Sequence, residues 1–251
     1  MTARSRLSEH IIANGLVVAA LAGWWLMSLR LPDFLMPSPW QVAVKLFGLF
    51  ATPALLADTA ASAARVVTAV AVSTVLGGAL AVIPYRWPVA EAIVRDRITP
   101  FFNSFPSVGW AILAMIWFGT TDAAVLFVEI AILTPFCLIN LLEGLKELDG
   151  ELIEMGASFT RNRGRSFVKI VAPMLLPYVM SAVRIAYGVG WKIALVAELF
   201  GVSSGLGYLM LKAEIVSDAA TVYATCFAIV LLFLAGEKLI LDPLSRLVAY
   251  K

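Results

Sequence analysis

The stretch Asp149–Pro177, DGELIEMGASFTRNRGRSFVKIVAPMLLP, is the longest polar interval between two apolar runs of membrane length. Its apolar residues fall at i, i+3 and i+7, which predicts an amphipathic helix: Leu152, Met155 and Phe159. Asp149 is suited to cap the first turn, where the negative charges of Glu151 and Glu154 are also favoured. The segment therefore predicts a short amphipathic helix that lies outside the hydrocarbon of a membrane.

Two interpretations of this helix remain open from periodicity alone. It could be a basic helix that lies on anionic lipid, or a docking helix that inserts into a soluble partner. Gly156, Ala157 and Ser158 are small enough for another surface to approach the backbone closely. Further on, Gly164 predicts a helix stop, and Pro173 predicts a break before the next apolar run.

The segment resembles the cytoplasmic "EAA" loop of inner-membrane permease subunits of ATP-binding-cassette importers. That pattern is Glu-Ala-Ala, three residues, Gly, nine residues and Ile-x-Leu-Pro. Glu154-Met155-Gly156 stands at its start, Thr160 at its glycine and Ile170-Val171-Ala172-Pro173 at its end. The similarity is to permeases of the taurine, alkanesulfonate and nitrate type, and it covers nearly the whole chain from Pro37 onward.

The resemblance implies a type I importer permease of the MetI-like fold: all-α, six transmembrane helices, and a cytoplasmic coupling helix. The chain, residues 1–251, would be a single transmembrane domain with the coupling-helix loop at about 146–173. The implied partners are two cytoplasmic ATPase subunits, a periplasmic substrate-binding protein and a second permease copy in a homodimer. ATP and magnesium would bind the ATPase, and this chain would bind no cofactor. The implied docking residues are Glu151, Glu154, Met155, Gly156, Ala157, Ser158, Phe159 and Thr160.

The composition independently indicates an integral membrane protein. The chain has 251 residues, of which 61% are hydrophobic and 14% charged, and its mean hydropathy is +0.90. A soluble domain is closer to half apolar and a quarter charged. The net charge of +2 gives no reason to expect a nucleic-acid partner.

Six apolar runs are long enough to cross a bilayer as helices: about 11–29, 60–84, 101–118, 123–142, 176–200 and 220–241. With the N-terminus in the cytoplasm, 13 Lys and Arg residues fall in inside segments and three in outside segments, with a fourth, Arg65, near a membrane boundary. The positive-inside rule therefore predicts this orientation in a bacterial inner membrane. It also places the predicted docking helix in the cytoplasm, independently of the family resemblance.

The first outside segment, 30–59, is too long for a tight turn and carries apolar residues at helical spacing: Trp40, Val44, Phe47 and Phe50. This pattern predicts a helix at the outer membrane–water boundary. Within the second span, Gly77 and Gly78 predict close packing against another helix, because small residues permit close approach in lipid.

The third predicted span opens with a proline and a glycine, Pro106 and Gly109, which should distort it. Broken backbone at membrane depth is tolerated only where protein or water covers it. The polar residues around the break are therefore candidates for lining a translocation pathway: Asn103, Ser104, Ser107 and Trp110. The alternative is a proline kink packed against a neighbouring helix.

This region also resembles the permease family. Pro106, Trp110 and Trp117-Phe118-Gly119 match the family's pattern, whereas Asn103 stands where an arginine is usual. The resemblance implies a small solute such as a sulfonate or nitrate. Because of Asn103, a neutral or aromatic heterocyclic solute is the alternative.

Ionisable residues within spans are costly and usually face an interior or a cavity: Glu129, Arg184, Lys192 and Glu198. Arg184 and Glu198 are fourteen positions apart and so share roughly one helix face, although Arg184 could also snorkel to the cytoplasmic end. Glu129 and Lys192 are expected to pair with each other or to line the pathway. A simple structural ion pair is the alternative.

The sequence contains no GxxxxGK[ST] loop, no HExxH and no GxSxG. The chain is therefore not expected to be an enzyme, and ATP hydrolysis would occur on another subunit. Two other classes remain as alternatives. An ATPase-independent secondary transporter or channel would work alone, and a membrane-embedded enzyme would need clustered catalytic groups, where the spans show only scattered charges.

Overall fold

A computed structural model describes residues 3–151, 155, 158 and 163–249, and this part of the chain is helical and contains no strand. Twelve α-helices have bounds within it. They are α1 Ala3–Ser28, α2 Pro39–Ala51, α3 Pro53–Arg86, α4 Pro88–Ile93, α5 Thr99–Ser104, α6 Ser107–Phe118, α7 Asp122–Lys146, α8 Arg163–Ser166, α9 Ala172–Gly201, α10 Leu206–Ile215, α11 Ala219–Gly236 and α12 Asp242–Ala249.

Four stretches of described helix are long and apolar enough to cross a membrane: Pro53–Arg86, Asp122–Lys146, Phe167–Gly201 and Ala219–Arg246. The pair Val89–Phe102 and Ser107–Phe118 makes a fifth if it is counted as one span. The apolar part of α1, Asn14–Ser28, is shorter. The chain is thus a multi-pass helical membrane protein, and the count of six spans stays a prediction.

The third predicted span, 101–118, is not one continuous helix. The two parts meet at an angle of 83°, and both Phe105 and Pro106 have extended backbone between them. The ring of Pro106 clashes with helical backbone at the preceding residue, which explains why α5 ends at Ser104. The distortion predicted at this proline is therefore confirmed.

The chain divides into two compact units, and each is described by itself. The first comprises Met1–Thr59 with Leu209–Ala228, and the second comprises Ala60–Tyr208 with Ile229–Lys251. In the first unit, the Trp24 indole N–H donates to the Pro37 carbonyl at 3.0 Å, and its ring stacks on Tyr223 and Phe227. This contact ties α1 to the turn that precedes α2.

The predicted helix in the first outside segment is confirmed as α2. Ser38 caps it by accepting a hydrogen bond from the Gln41 amide, while the Gln41 side chain accepts from the Ser38 amide. This reciprocal arrangement, followed by Pro39 at the first turn, is a strong helix start. Three of the four residues of the predicted stripe are more than half exposed, as an interfacial face requires: Trp40, Val44 and Phe47.

A salt bridge lies at the edge of the same unit, where Lys45 Nζ is 2.7 Å from a carboxylate oxygen of Asp218. Burial raises the pKa of the Asp218 carboxyl, but Lys45 and the hydroxyl and amide of Thr221 together hold that pKa below its ordinary value. Asp218 also precedes α11 and accepts from the Thr221 amide at 3.1 Å, so it acts as a helix cap.

In the second unit, α7 packs along α9 and against α3 through glycines. A methyl group added at Gly77 would lie 2.7 Å from Cys137 Cβ and from the Leu138 amide nitrogen. One added at Gly144 would lie 2.5 Å from the Tyr178 ring. Only glycine permits this separation of backbones, so the packing role predicted for Gly77 is confirmed.

Three widened π turns each end two residues before a proline. The turns cover Val94–Ile98, Phe167–Val171 and Glu237–Leu241, and the residue after each donates its amide to the carbonyl five positions earlier. The prolines are Pro100, Pro173 and Pro243. A proline ring clashes with the carbonyl four residues before it in an α-helix, and a wider turn accommodates that clash without ending the helix.

Candidate functional site

The densest polar cluster among the described residues lies between α3, α7 and the carboxyl end of α9, and is centred on Arg65. The Arg65 guanidinium donates to Glu198 Oε1 at 2.6 Å and to Asp122 Oδ1 at 2.6 and 3.0 Å. It also contacts the carbonyl and hydroxyl oxygens of Ser204. The Arg65 and Glu198 side chains are only 7% and 1% exposed, so this ion pair is buried.

The loop after α9 closes over the Glu198 carboxylate. Ser62 donates its hydroxyl to that carboxylate and accepts from the Leu206 amide at 2.8 Å, while the Gly207 amide donates to Glu198 Oε2 at 2.9 Å. Gly205 has φ of +106°, and a side chain there would lie 2.6 Å from the carboxylate. The glycine therefore supplies both the backbone conformation and the space that the loop needs.

Glu129 lies on α7 in the core of the second unit. Its side chain is fully buried, and neither carboxyl oxygen has a hydrogen-bond partner among the described residues. Val125 and Leu133 are one turn from Glu129 on α7. A methyl group added at Gly201 of α9 would lie 3.2 Å from Val125, and one added at Gly190 would lie 3.5 Å from Leu133. Buried carboxyl groups normally have a partner, so this one is a candidate for a role beyond packing.

The predicted pair between Glu129 and Lys192 is wrong. Lys192 is exposed on the outer face of α9, whereas Glu129 faces the helix-packed interior, and no salt bridge joins them. The position of each residue within its span predicts its depth in the membrane. An ion pair also requires both side chains to face each other, which depends on the rotation of each helix about its axis. The alternative that either of them lines a pathway remains a prediction.

Arg184 lies outside the Arg65 cluster although it was predicted to share a face with Glu198. Its guanidinium contacts Glu237 at 2.9 Å and Asp242 at 2.6 Å, in the π turn and helix that end the last span. Its 43% side-chain exposure is compatible with the predicted snorkelling.

The pathway candidates around the broken third span are not brought together. Trp110 is buried and stacks on Phe102, with Phe105 and Phe127 around it. Ser104 is exposed and Ser107 partly exposed. The side chain of Asn103 lies outside the described residues. The Trp110 environment fits the packed-kink alternative, and the pathway assignment of the three polar residues stays a prediction.

Sequence analysis missed Arg65, which was placed near a membrane boundary. The signal was present in the phase of α3, where residues at helical spacing are all buried: Ser62, Val66, Ala69 and Ser73. Arg65 falls beside this face and so points into the bundle. Its partners are 57 and 133 positions away, and nothing local in the sequence identifies them.

A second ionic cluster joins α4 and the first π turn to the end of α7. Arg95 contacts Glu91 and Glu143, and Lys146 contacts Glu91 as well. Lys146 is the last residue of α7 and directly precedes the segment predicted to be the coupling loop. The cluster therefore lies beside the predicted coupling loop.

The predicted docking helix is described in part. The Asp149 carboxylate accepts from the Glu151 amide at 2.9 Å, which is the geometry of a helix cap. Glu151, Met155 and Ser158 are helical and exposed. The other predicted docking residues lie outside the described residues: Glu154, Gly156, Ala157, Phe159 and Thr160. The predicted stop at Gly164 is wrong, because that residue lies inside α8 and the helix continues through a π turn into α9.

The chain is similar in sequence to several transport permeases. A probable ABC transporter permease of Brucella abortus is 27% identical over 235 residues, covering 92% of each chain. The taurine transport system permease of Escherichia coli is 28% identical over 82% of this chain and 78% of its own. A bicarbonate transport system permease of Synechocystis is 26% identical over 59% of this chain and 52% of its own.

A family model matches residues 73–241, about two thirds of the chain. This match takes in α7, the predicted coupling segment, α9 and the last span. The family is a transport component and not an enzyme. The chain therefore belongs to the family of binding-protein-dependent transport system inner membrane components, and it is a permease of the ABC transporter type.

Proposed function

We propose that this chain is the permease subunit of an ATP-driven importer in a bacterial inner membrane, with its N-terminus in the cytoplasm. ATP is hydrolysed by separate ATPase subunits, and a periplasmic binding protein delivers the solute. Family membership and the multi-pass helical fold support this proposal. The excess of Lys and Arg on the inside of the predicted topology supports the orientation.

The observation that carries the proposal is the exposed helical segment that Asp149 caps between α7 and α8. It lies between two membrane spans, and the apolar residue Met155 is 53% exposed there. An exposed apolar side chain on a capped polar segment is available for contact with a soluble partner. This segment is the proposed coupling helix, and its partner is the ATPase.

Two copies of the chain form the functional permease in this proposal. In the second unit, α7 and α9 pack closely through Gly190, Gly201 and fully buried residues such as Leu133, which leaves little room for a solute between these two helices. A solute of several heavy atoms needs a cavity of a few hundred Å³. The pathway is therefore assigned to a face between two copies rather than to the interior of one.

The proposed solute is a small anion. The relatives are named for taurine, aliphatic sulfonates and bicarbonate, each of which carries a negatively charged group. Lys192 lies exposed in the fifth predicted span, where a cation facing hydrocarbon would be unfavourable. A neutral heterocyclic solute is the alternative, and uptake of such a compound without uptake of anions would replace the assignment.

Co-purification tests the coupling helix. In cells that co-express the chain and its ATPase, Gly156→Arg and Met155→Asp are expected to abolish recovery of the ATPase with the tagged chain. An arginine blocks close approach, and an aspartate removes an apolar contact. The control is Val216→Asp, which changes a residue that is 72% exposed outside the predicted interface.

The wild type and the control should retain the ATPase in equal amounts. Membrane insertion and yield of each variant are measured in parallel, so that loss of the chain is not mistaken for loss of the partner. Retention of the ATPase by both coupling-helix variants would contradict the docking assignment.

A further inference from the structure

A groove of about 470 Å³ runs along the outer face of α9 against the last part of α11. Its walls are mostly apolar and aromatic, and two basic side chains also line it. The lining includes Arg184, Gly188, Trp191, Lys192, Val230 and Phe233. The volume falls within the range of small-molecule sites in proteins.

The two basic side chains are in different electrostatic situations. Arg184 is neutralised by Glu237 and Asp242. Lys192 makes no ion pair or hydrogen bond within the described part of the chain, and its side chain is exposed. Lys192 is therefore the cation in the groove whose charge this chain leaves available.

The depth of Lys192 excludes a simple lipid-facing position. It lies nine residues before the end of α9 at Gly201, or about 14 Å along the helix axis. The hydrocarbon of a bilayer is about 30 Å thick, so this position is near the middle. A lysine at the centre of a span costs about 2.5–3.5 kcal/mol on insertion scales, and such residues face a cavity or a partner.

We propose that this groove is an anion subsite of the translocation pathway, with Lys192 as its specificity-determining residue. It takes a small organic anion, whose charged head lies at Lys192 Nζ and whose apolar tail lies against Val230 and Phe233. Lipid phosphate is excluded as the normal occupant because headgroups do not lie at this depth. The inference deepens the proposed function and rests on it.

Gly188 keeps the groove open. A methyl group added there would lie 3.6 Å from the Phe233 ring, which is ordinary van der Waals contact. Alanine at this position is therefore tolerated, whereas a larger side chain would occupy the space that the proposed tail requires. This gives a steric test that leaves the charge of Lys192 unchanged.

The test is calorimetric titration of the detergent-purified permease, in complex with its ATPase, with butanesulfonate. Butanol and butyltrimethylammonium are the neutral and cationic probes of the same tail length. Lys192→Met is expected to weaken butanesulfonate binding at least tenfold, and Lys192→Arg to change it less than threefold. Lys238→Met, at an exposed lysine in the last π turn, is the matched control and should behave as wild type.

The steric variants separate the subsite from a remote structural effect. Gly188→Leu should weaken butanesulfonate binding at least tenfold, and Gly188→Ala should leave it within threefold. Lys192→Glu should reverse the preference, so that butyltrimethylammonium binds more tightly than butanesulfonate. A purely structural role for Lys192 would not reverse the selectivity between two probes of equal length.

Two results would overturn the inference. One is butanesulfonate binding that is unchanged in Lys192→Met and Gly188→Leu. The other is loss of the dimer in Lys192→Met together with unchanged probe selectivity in Lys192→Arg and Lys192→Glu, which would indicate a pair with the second copy. Neither result would contradict the assignment of the chain as a permease. That assignment is contradicted separately if the wild-type chain does not retain an ATPase.

Discussion

Replacing Arg65 with leucine is expected to prevent accumulation of folded protein, or to lower its stability by about 3–5 kcal/mol, the usual cost of breaking a buried ion pair. The change leaves the Glu198 carboxylate, 1% exposed, without its guanidinium partner. The loop around Gly205 would lose its anchor at the same time, because Arg65 also holds Ser204. The measurement is the yield and thermal midpoint of the detergent-purified chain.

The double variant Arg65→Leu with Glu198→Gln provides the internal control. Removing the unpaired charge should recover a large part of the loss, since a buried uncompensated carboxylate is the main cost. Lys45→Met is the exposed comparison, because Lys45 is 49% exposed and its pair with Asp218 should contribute at most about 1 kcal/mol. Equal effects of Arg65→Leu and Lys45→Met would contradict the buried network.

Gly77→Ala is expected to destabilise the chain by about 1–3 kcal/mol, the usual range for overpacking a tight interface. The added methyl would lie 2.7 Å from the backbone nitrogen of Leu138, so α3 and α7 would have to separate. A side-chain rotation cannot relieve a clash with backbone. The measurement is again the thermal midpoint, together with the rate of heat inactivation.

Gly78→Ala is the matched control in the same helix. Its methyl would lie 3.2 Å from Leu141 Cδ1, the end of a flexible side chain that can shift. Alanine also favours the helix by up to about 1 kcal/mol relative to glycine, so this variant should be neutral or slightly stabilising. Equal destabilisation by the two variants would show that the close approach of α3 to α7 is not specific to Gly77.

The elements that could be predicted from the sequence are those with local causes. Hydropathy located α3, α7, α9 and α11, because a bilayer-spanning helix needs a long apolar run whatever it packs against. The presence of α2 followed from the helical spacing of Trp40, Val44 and Phe47, and the cap at Asp149 from residue type. Pro106 predicted a distortion because the steric effect of proline acts on its own neighbours.

The features that could not be predicted depend on distant partners or on helix rotation. Arg65 joins α3 to Asp122 and Glu198, and only the packed bundle brings these groups together. The proposed pair between Glu129 and Lys192 failed because the depths of two residues say nothing of the faces on which they lie. The π turns were missed because Pro173 was interpreted as a break, whereas a widened turn accommodates it.

Reconstituted transport tests the central claim most directly: this chain moves solute only when an ATPase drives it. Proteoliposomes would contain the chain with its ATPase, the cognate binding protein and a panel of labelled taurine, butanesulfonate and bicarbonate. We predict uptake of at least one of these anions that requires ATP, the ATPase and the binding protein together. Equal uptake by liposomes that contain the chain alone, with no ATP, would contradict the account.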